Sequence, residues 1–203
     1  MSEATRKNLA VDERREKIFR HASQVFAAKG FAGTKIADIA AAAGMSQGLL
    51  YRHFASKDEL FTELIAASFA KLTAAAEALE EMPIPAHEKI ALALQRILAG
   101  MASDPAFSER VLLIAQASIS EQIPEATKSV IVAERDKPYA AIARIMASGQ
   151  AQGTVLPGAP EVLAMLFWTT IKGLALHKVS FGDQFTVPDT EILCRLFLAP
   201  AKS

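Results

Sequence analysis

Gln47, Tyr51, Arg52, His53 and Lys57 lie within one short stretch whose intervening residues are mostly apolar or small. Glutamine can pair two-pronged with the edge of adenine, and arginine with the edge of guanine. A tyrosine hydroxyl and a lysine ammonium suit phosphate oxygens, which position a protein on a duplex without reading its sequence. Gly48 has no side chain to hold a partner away. Together these groups have the chemistry to read the major groove of double-stranded DNA. A plain hairpin inside a core gives no reason to surround an otherwise apolar helix with them.

Two short helices joined by a tight turn would position such a face, the first bracing and the second presenting. The spacing predicts them. A first helix runs from about Asp12 to Lys29, with Ile18, Ala22, Val25 and Phe26 as its apolar stripe and Gly30 just past its end. Thr34 is the expected N-cap of a second helix, Lys35 to Ala43, which turns Ile36, Ile39, Ala40 and Ala43 inward. Gly44 supplies the turn. Ser46 caps a third helix, Gln47 to Phe54, anchored by Leu50 and Phe54. Ser56, with Glu59 three residues on, forms a capping box for a long fourth helix that fades near Glu80–Glu81.

The chain has 203 residues, about half of them apolar, and a formal net charge of zero. Residues 1–60 carry ten Lys/Arg against seven Asp/Glu, so a net +3 at the front faces a net −3 in the remainder. A polyanion would meet the front end. Alternating β-branched runs are scarce and alanine abounds, which predicts an all-α chain. Beyond the break at Pro83 and Pro85, punctuation by proline and glycine predicts helices near 86–102, 105–119, 123–152, 160–181 and 189–198, with Pro138 inside the third of them.

The run from Phe26 to Phe61 resembles the N-terminal domain of TetR-family transcriptional regulators. The matching residues are Gly30-Phe31, Thr34, Ile36-Ala37-Asp38-Ile39-Ala40, Ala43-Gly44-Met45-Ser46, Gly48, Leu50-Tyr51, Phe54 and Ser56-Lys57-Asp58-Glu59-Leu60. The resemblance implies a homodimer on a palindromic operator, usually a repressor, with an N-terminal DNA-binding domain and a helical body for dimerisation and ligand sensing. We place these at 1–58 and 59–203. It implies phosphate contacts at Thr34, Tyr51 and Lys57, and recognition-helix positions at Ser46, Gln47, Gly48, Leu49, Arg52 and His53. Lys35, at the start of the second helix, completes the expected DNA-binding set. Gln47, Leu49 and the Arg52-His53 pair depart from the commonest pattern of the family, so the operator is individual to this chain.

Enzyme chemistry finds little support. His21, His53, His87 and His177 are scattered without metal-ligand spacing. Cys194 is the sole cysteine, and between Leu193 and Leu196 it reads as a small buried thiol. No catalytic residue, metal or cofactor is expected. The apolar stretch from Val162 to Leu176 is interrupted by Thr169, Thr170 and Lys172. It is shorter than the ~20 residues that span a bilayer, so we read a buried helix, no membrane partner and a cytoplasmic protein. Helices 160–181 and 189–198 are the expected homodimer interface, because 160–181 is apolar almost all round. A small-molecule effector would meet body residues of mixed apolar and sparse polar character. The candidates are Met101, Phe107, Arg110, Leu113, Gln116, Ala117, Ser120, Trp168, Ile171 and His177. The alternative is a constitutive DNA-binding accessory protein without an inducer.

Overall fold

A computed structural model of the chain describes residues 3–200, with side chains from Glu13 onward except that of Pro105. Its described residues form ten α-helices and a 3-10 turn, and the sole β pairing among them is an isolated bridge between Val155 and Leu198. The chain is all-α. It divides into two compact units, Met1–Ala67 with Leu113–Ile131, and Ser68–Leu112 with Val132–Ser203.

The first unit holds α1 (Glu3–Gly33), α2 (Ile36–Ala42), α3 (Gln47–Tyr51) and the start of α4 (Lys57–Glu81). It also holds the end of α6 (Pro105–Ile119) and most of α7 (Glu125–Glu134). The helix stripes meet in one core. Ile18, Ala22 and Phe26 of α1, Ile39 and Ala40 of α2, Leu50 of α3, and Leu60 and Ile65 of α4 are all buried. The Phe26 ring meets the Phe61 ring edge-on, with centroids 4.7 Å apart, and Phe31 stacks beside both. Burying each such ring stabilises the unit by about 1.5–3 kcal/mol relative to leaving it in water. The Thr62 and Thr127 hydroxyls hydrogen-bond at 2.7 Å, which ties α7 to α4 inside this unit.

The second unit is built on α5 (Ala86–Ser103), α8 (Lys137–Ala151) and α9 (Pro160–Phe181), with α10 (Thr190–Cys194) and the remainders of α4 and α6. Ile90, Leu94, Leu98 and Met101 recur at helical spacing on α5 and pack with Ile142 and Met146 of α8 and with Phe167, Trp168 and Ile171 of α9. The buried Trp168 indole donates to the Pro138 carbonyl. Glu80 and Arg144 form a two-pronged pair, with both bonds at 2.7 Å. That pair holds the Glu80 carboxyl below, and the Arg144 guanidinium above, its ordinary range.

Three expectations about elements change. The helix expected over 123–152 is two helices, because the chain turns at Arg135–Asp136 and starts again at Lys137. Pro138 therefore lies in the first turn of α8, where its missing N–H costs nothing, and not in a kinked interior. The helix expected over 189–198 stops at Cys194. Leu156 N–H donates to Phe197 O at 2.9 Å and Ala199 N–H to Thr154 O at 3.0 Å, so the chain end pairs as extended backbone instead. The first helix begins before Asp12 and is merged with a short turn across Gly30, whose φ of 69° breaks its regularity.

The 25 residues Pro160–Gln184 are long and apolar enough to cross a membrane, and a third of their most apolar window is buried. One face of α9 is committed to the core through Leu163, Ala164, Phe167, Trp168, Ile171 and Ala175. Away from it Val162, Met165, Leu166, Leu176 and Val179 are about half exposed, as is Phe181 at the helix end.

Candidate nucleic-acid interface

The turn between α2 and α3 closes on Gly44, at φ 65°, with Met45 N–H donating to Ala40 O at 3.0 Å. A left-handed residue is required there, and glycine reaches it without steric cost. Ser46 caps α3, its hydroxyl accepting from Leu49 N–H at 3.2 Å. Leu50 and Phe54 are 0% and 1% exposed and pin the helix to the core. With these two facing in, Gln47, Gly48, Tyr51 and Arg52 face out, and Leu49 and His53 lie half-buried at the rim. The helix is shorter than expected. It ends at Tyr51, and Arg52 and His53 lie in the closing turn, held by backbone bonds to Leu49 O and Leu50 O.

Lys35 is the N-cap of α2, in place of Thr34. A lysine cannot accept a backbone N–H, so the cap works from the other side: the Asp38 carboxylate accepts from Lys35 N–H at 3.0 Å. That bond and the ion pair to Lys29 hold the Asp38 carboxyl below the usual carboxylate range. Thr34 is buried, and its hydroxyl donates to Gly30 O at 2.7 Å. The Lys57 ammonium donates to Phe31 O at 2.8 Å and Thr34 O at 3.1 Å, and lies 4.2 Å from the centre of the Phe31 ring. Two of its three protons are thus engaged in joining the end of α1 to the start of α4, which leaves one for a phosphate. Ser56 caps α4 through Glu59 N–H at 3.0 Å, while Glu59 reaches back to Ala55 N–H, one residue earlier than in the usual box.

The basic surface is wider than the turn itself. Arg15 of α1 lies over the Phe54 ring at 4.8 Å and pairs with Glu63 of α4. Burial first, then the charges of Arg14, Arg15 and Arg52, lower the pKa of His53 below its ordinary 6.5. Arg14 and Arg15 were not among the residues expected here. Their signal lay in position: they stand one helical turn before Ile18 and Phe19, the residues of α1 that face the core and the Phe54 ring.

Residues 18–64 match the family model described as bacterial regulatory proteins, tetR family. The chain carries the DNA-binding domain of the TetR family. The transcriptional repressor KstR2 of Mycobacterium tuberculosis is 44% identical to it over 55 residues, 27% of this chain and 28% of that protein. The chain thus matches little more than a quarter of the length of that relative. Among solved structures, a TetR-family transcriptional regulator from Agrobacterium tumefaciens matches 93% of this chain and all of its own, with TM-score 0.77 at 20% identity. FadR from Bacillus subtilis, solved in complex with stearoyl-CoA, matches 89% of this chain and 93% of its own, with TM-score 0.66 at 19% identity. At those identities the likeness shows that the body shares the fold of TetR-family proteins.

The body residues considered for a ligand do not form one group. Met101, Trp168 and Ile171 lie in the core of the second unit, with Phe107 packed against it, whereas Leu113 and Gln116 belong to the first unit. The Arg110 guanidinium is paired with Asp104, and Gln116 is exposed. His177 is exposed and stacks on Phe181, with centroids 4.1 Å apart. The Cys194 thiol is half-buried, and burial followed by Glu191 and Asp189 raises its pKa, which lowers its thiolate character. Two buried hydroxyls that the sequence did not single out, those of Ser108 and Thr73, have no hydrogen-bond partner among the described residues. The other helical hydroxyls of Ser103, Ser118, Ser129 and Thr170 all donate to the carbonyl four residues back.

Proposed function

We propose that the chain is a cytoplasmic transcriptional regulator, a repressor, that binds a palindromic operator as a homodimer and is released from it by a small, largely apolar effector. Residues 1–58 read the DNA in this account, and residues 59–203 dimerise and sense. The observation that carries it is α3: a helix pinned by Leu50 and Phe54 whose remaining faces offer Gln47, Gly48, Tyr51 and Arg52 outward beside a cluster of arginines. A two-pronged glutamine or arginine contributes about 1–3 kcal/mol of base discrimination.

Support for the dimer comes from the apolar side of α9, with Ile192 and Leu196 of the 189–198 segment also about half exposed. Exposed apolar side chains that form a patch mark a contact surface in a soluble protein. Support for an effector comes from Ser108 and Thr73. A buried hydroxyl without a partner costs about 1–3 kcal/mol, and such groups are commonly met by water or a ligand. The stearoyl-CoA bound to the FadR likeness makes a long acyl chain with a polar head the first effector chemistry to try.

The test is fluorescence anisotropy of the full chain on duplexes enriched from a random pool, across a salt series. A palindromic consensus and a steep fall of affinity with salt are expected. Failure to enrich any duplex, with a flat salt response, overturns the DNA reading. Stearoyl-CoA is then added to the complex. Release of the duplex, weakened in Ser108→Ala, supports the effector reading, and no release with no thermal shift refutes the acyl-chain effector.

A further inference from the structure

We infer that Arg14, on the first helix and outside the helix-turn-helix, is a DNA-backbone contact that clamps a phosphate beside the C-terminal end of α3. The inference rests on the DNA-binding reading above. Its geometry comes from the way α1 lies against Phe54, just past the end of α3. Ile18 is fully buried in the shared core, and the rings of Phe19 and Phe54 lie 5.6 Å apart. Arg14 and Arg15 stand one turn earlier on those two rows of α1, so they come out at the rim where α3 ends.

The two arginines have different surroundings. Arg15 is half-buried, lies over the rings of Phe54 and Phe19, and has its charge met by Glu63. It is a bracing residue. Arg14 is exposed, and among the described residues no carboxylate is paired with it. Its charge nevertheless reaches His53, as do those of Arg15 and Arg52. An exposed guanidinium that no described carboxylate pairs with, beside the charges of Arg15 and Arg52, is open to an anion. A DNA phosphate is that anion, met by the planar fork of the guanidinium. Arg52 is exposed on the recognition side of the same rim. Arg14 adds affinity without adding sequence information, because phosphates carry none.

The experiment compares wild type, Arg14→Ala, Arg14→Lys and the distant Arg96→Ala on the enriched duplex and on an unrelated one, by anisotropy from about 50 to 200 mM salt. Arg14→Ala is expected to weaken binding to both duplexes by a similar factor, about tenfold or more. The slope of log affinity against log salt should fall by about 0.9 per protomer. Arg14→Lys should retain most of the slope, because it keeps the charge, and Arg96→Ala should match wild type. Unchanged affinity and slope in Arg14→Ala overturn the proposal, and so does a loss confined to the enriched duplex. If the alanine variant melts early, Arg14→Gln, which removes the charge and keeps a long helix-forming side chain, decides: a slope lowered by about 0.9 per protomer supports the contact and an unchanged slope overturns it. Wild type that binds no duplex at all fails the underlying DNA reading instead, so the two failures are distinguishable.

Discussion

Gly48→Ala separates stability from function. Gly48 is exposed, is the second residue of α3 and has an ordinary helical φ, and a Cβ built on it meets nothing within 4 Å. In the free protein the new methyl therefore strains nothing. It removes the conformational freedom that glycine keeps in the unfolded chain, which stabilises the fold by about 0.5–1 kcal/mol. For a chain of this size that is a rise of roughly 1–4 °C in melting temperature. On DNA the sign reverses. If the α3 backbone comes to van der Waals distance of the duplex, the methyl must displace it or cost a neighbouring contact, about 1–3 kcal/mol by analogy with overpacked cores. That is a loss of roughly 5- to 150-fold per site. Calorimetry gives the first number and anisotropy on the enriched duplex the second. Gly44→Ala is the internal control: the same methyl also meets nothing within 4 Å, but at φ 65° it costs about 1–2 kcal/mol of stability. Gly48→Ala that melts higher and still binds as tightly as wild type refutes the close approach, and with it the placement of α3 in the groove.

Three further outcomes follow from the same geometry. Lys57→Met should lower stability by about 1–3 kcal/mol, since it removes two bonds to backbone carbonyls and a cation over the Phe31 ring; urea denaturation followed by circular dichroism measures it, and a loss confined to DNA binding would show that the lysine serves phosphate alone. His53 is held below its ordinary 6.5 in the folded state, so the unfolded chain binds its proton first: its contribution to stability is full above pH 6.5 and declines as pH falls through the window just below, and denaturation at stepped pH should lose that slope in His53→Gln. Leu176→Asp, on the exposed side of α9, should leave helicity unchanged and convert the proposed dimer to a monomer in sedimentation velocity; a wild-type monomer refutes the dimer, and a dimer that persists in the variant removes α9 from its interface.

The sequence determined most of the DNA-reading head. Its signals are local: apolar residues at helical spacing in α1 and α4, a glycine where a left-handed turn is needed, and Ser46 and Ser56 as caps, each of which acts within about four residues. The all-α class and the span of α9 were legible for the same reason. What tertiary structure decided lies where distant segments meet. Thr34 is buried with its hydroxyl donating to Gly30 O while Lys35 takes the N-cap position, and Lys57 is engaged by carbonyls 26 and 23 residues away. Residues 123–152 carry no proline or glycine punctuation at Arg135–Asp136, yet the chain turns there and restarts at Lys137. The segment after Cys194 left its helix because Thr154 and Leu156 offered it backbone partners. Arg14 and Arg15 read as an ordinary charged helix start until α1 was laid against α3. Composition and periodicity report what a residue does within a turn or two of itself. Only the fold brings in the carbonyls that engage two of the three Lys57 protons and the Glu63 carboxylate that meets Arg15.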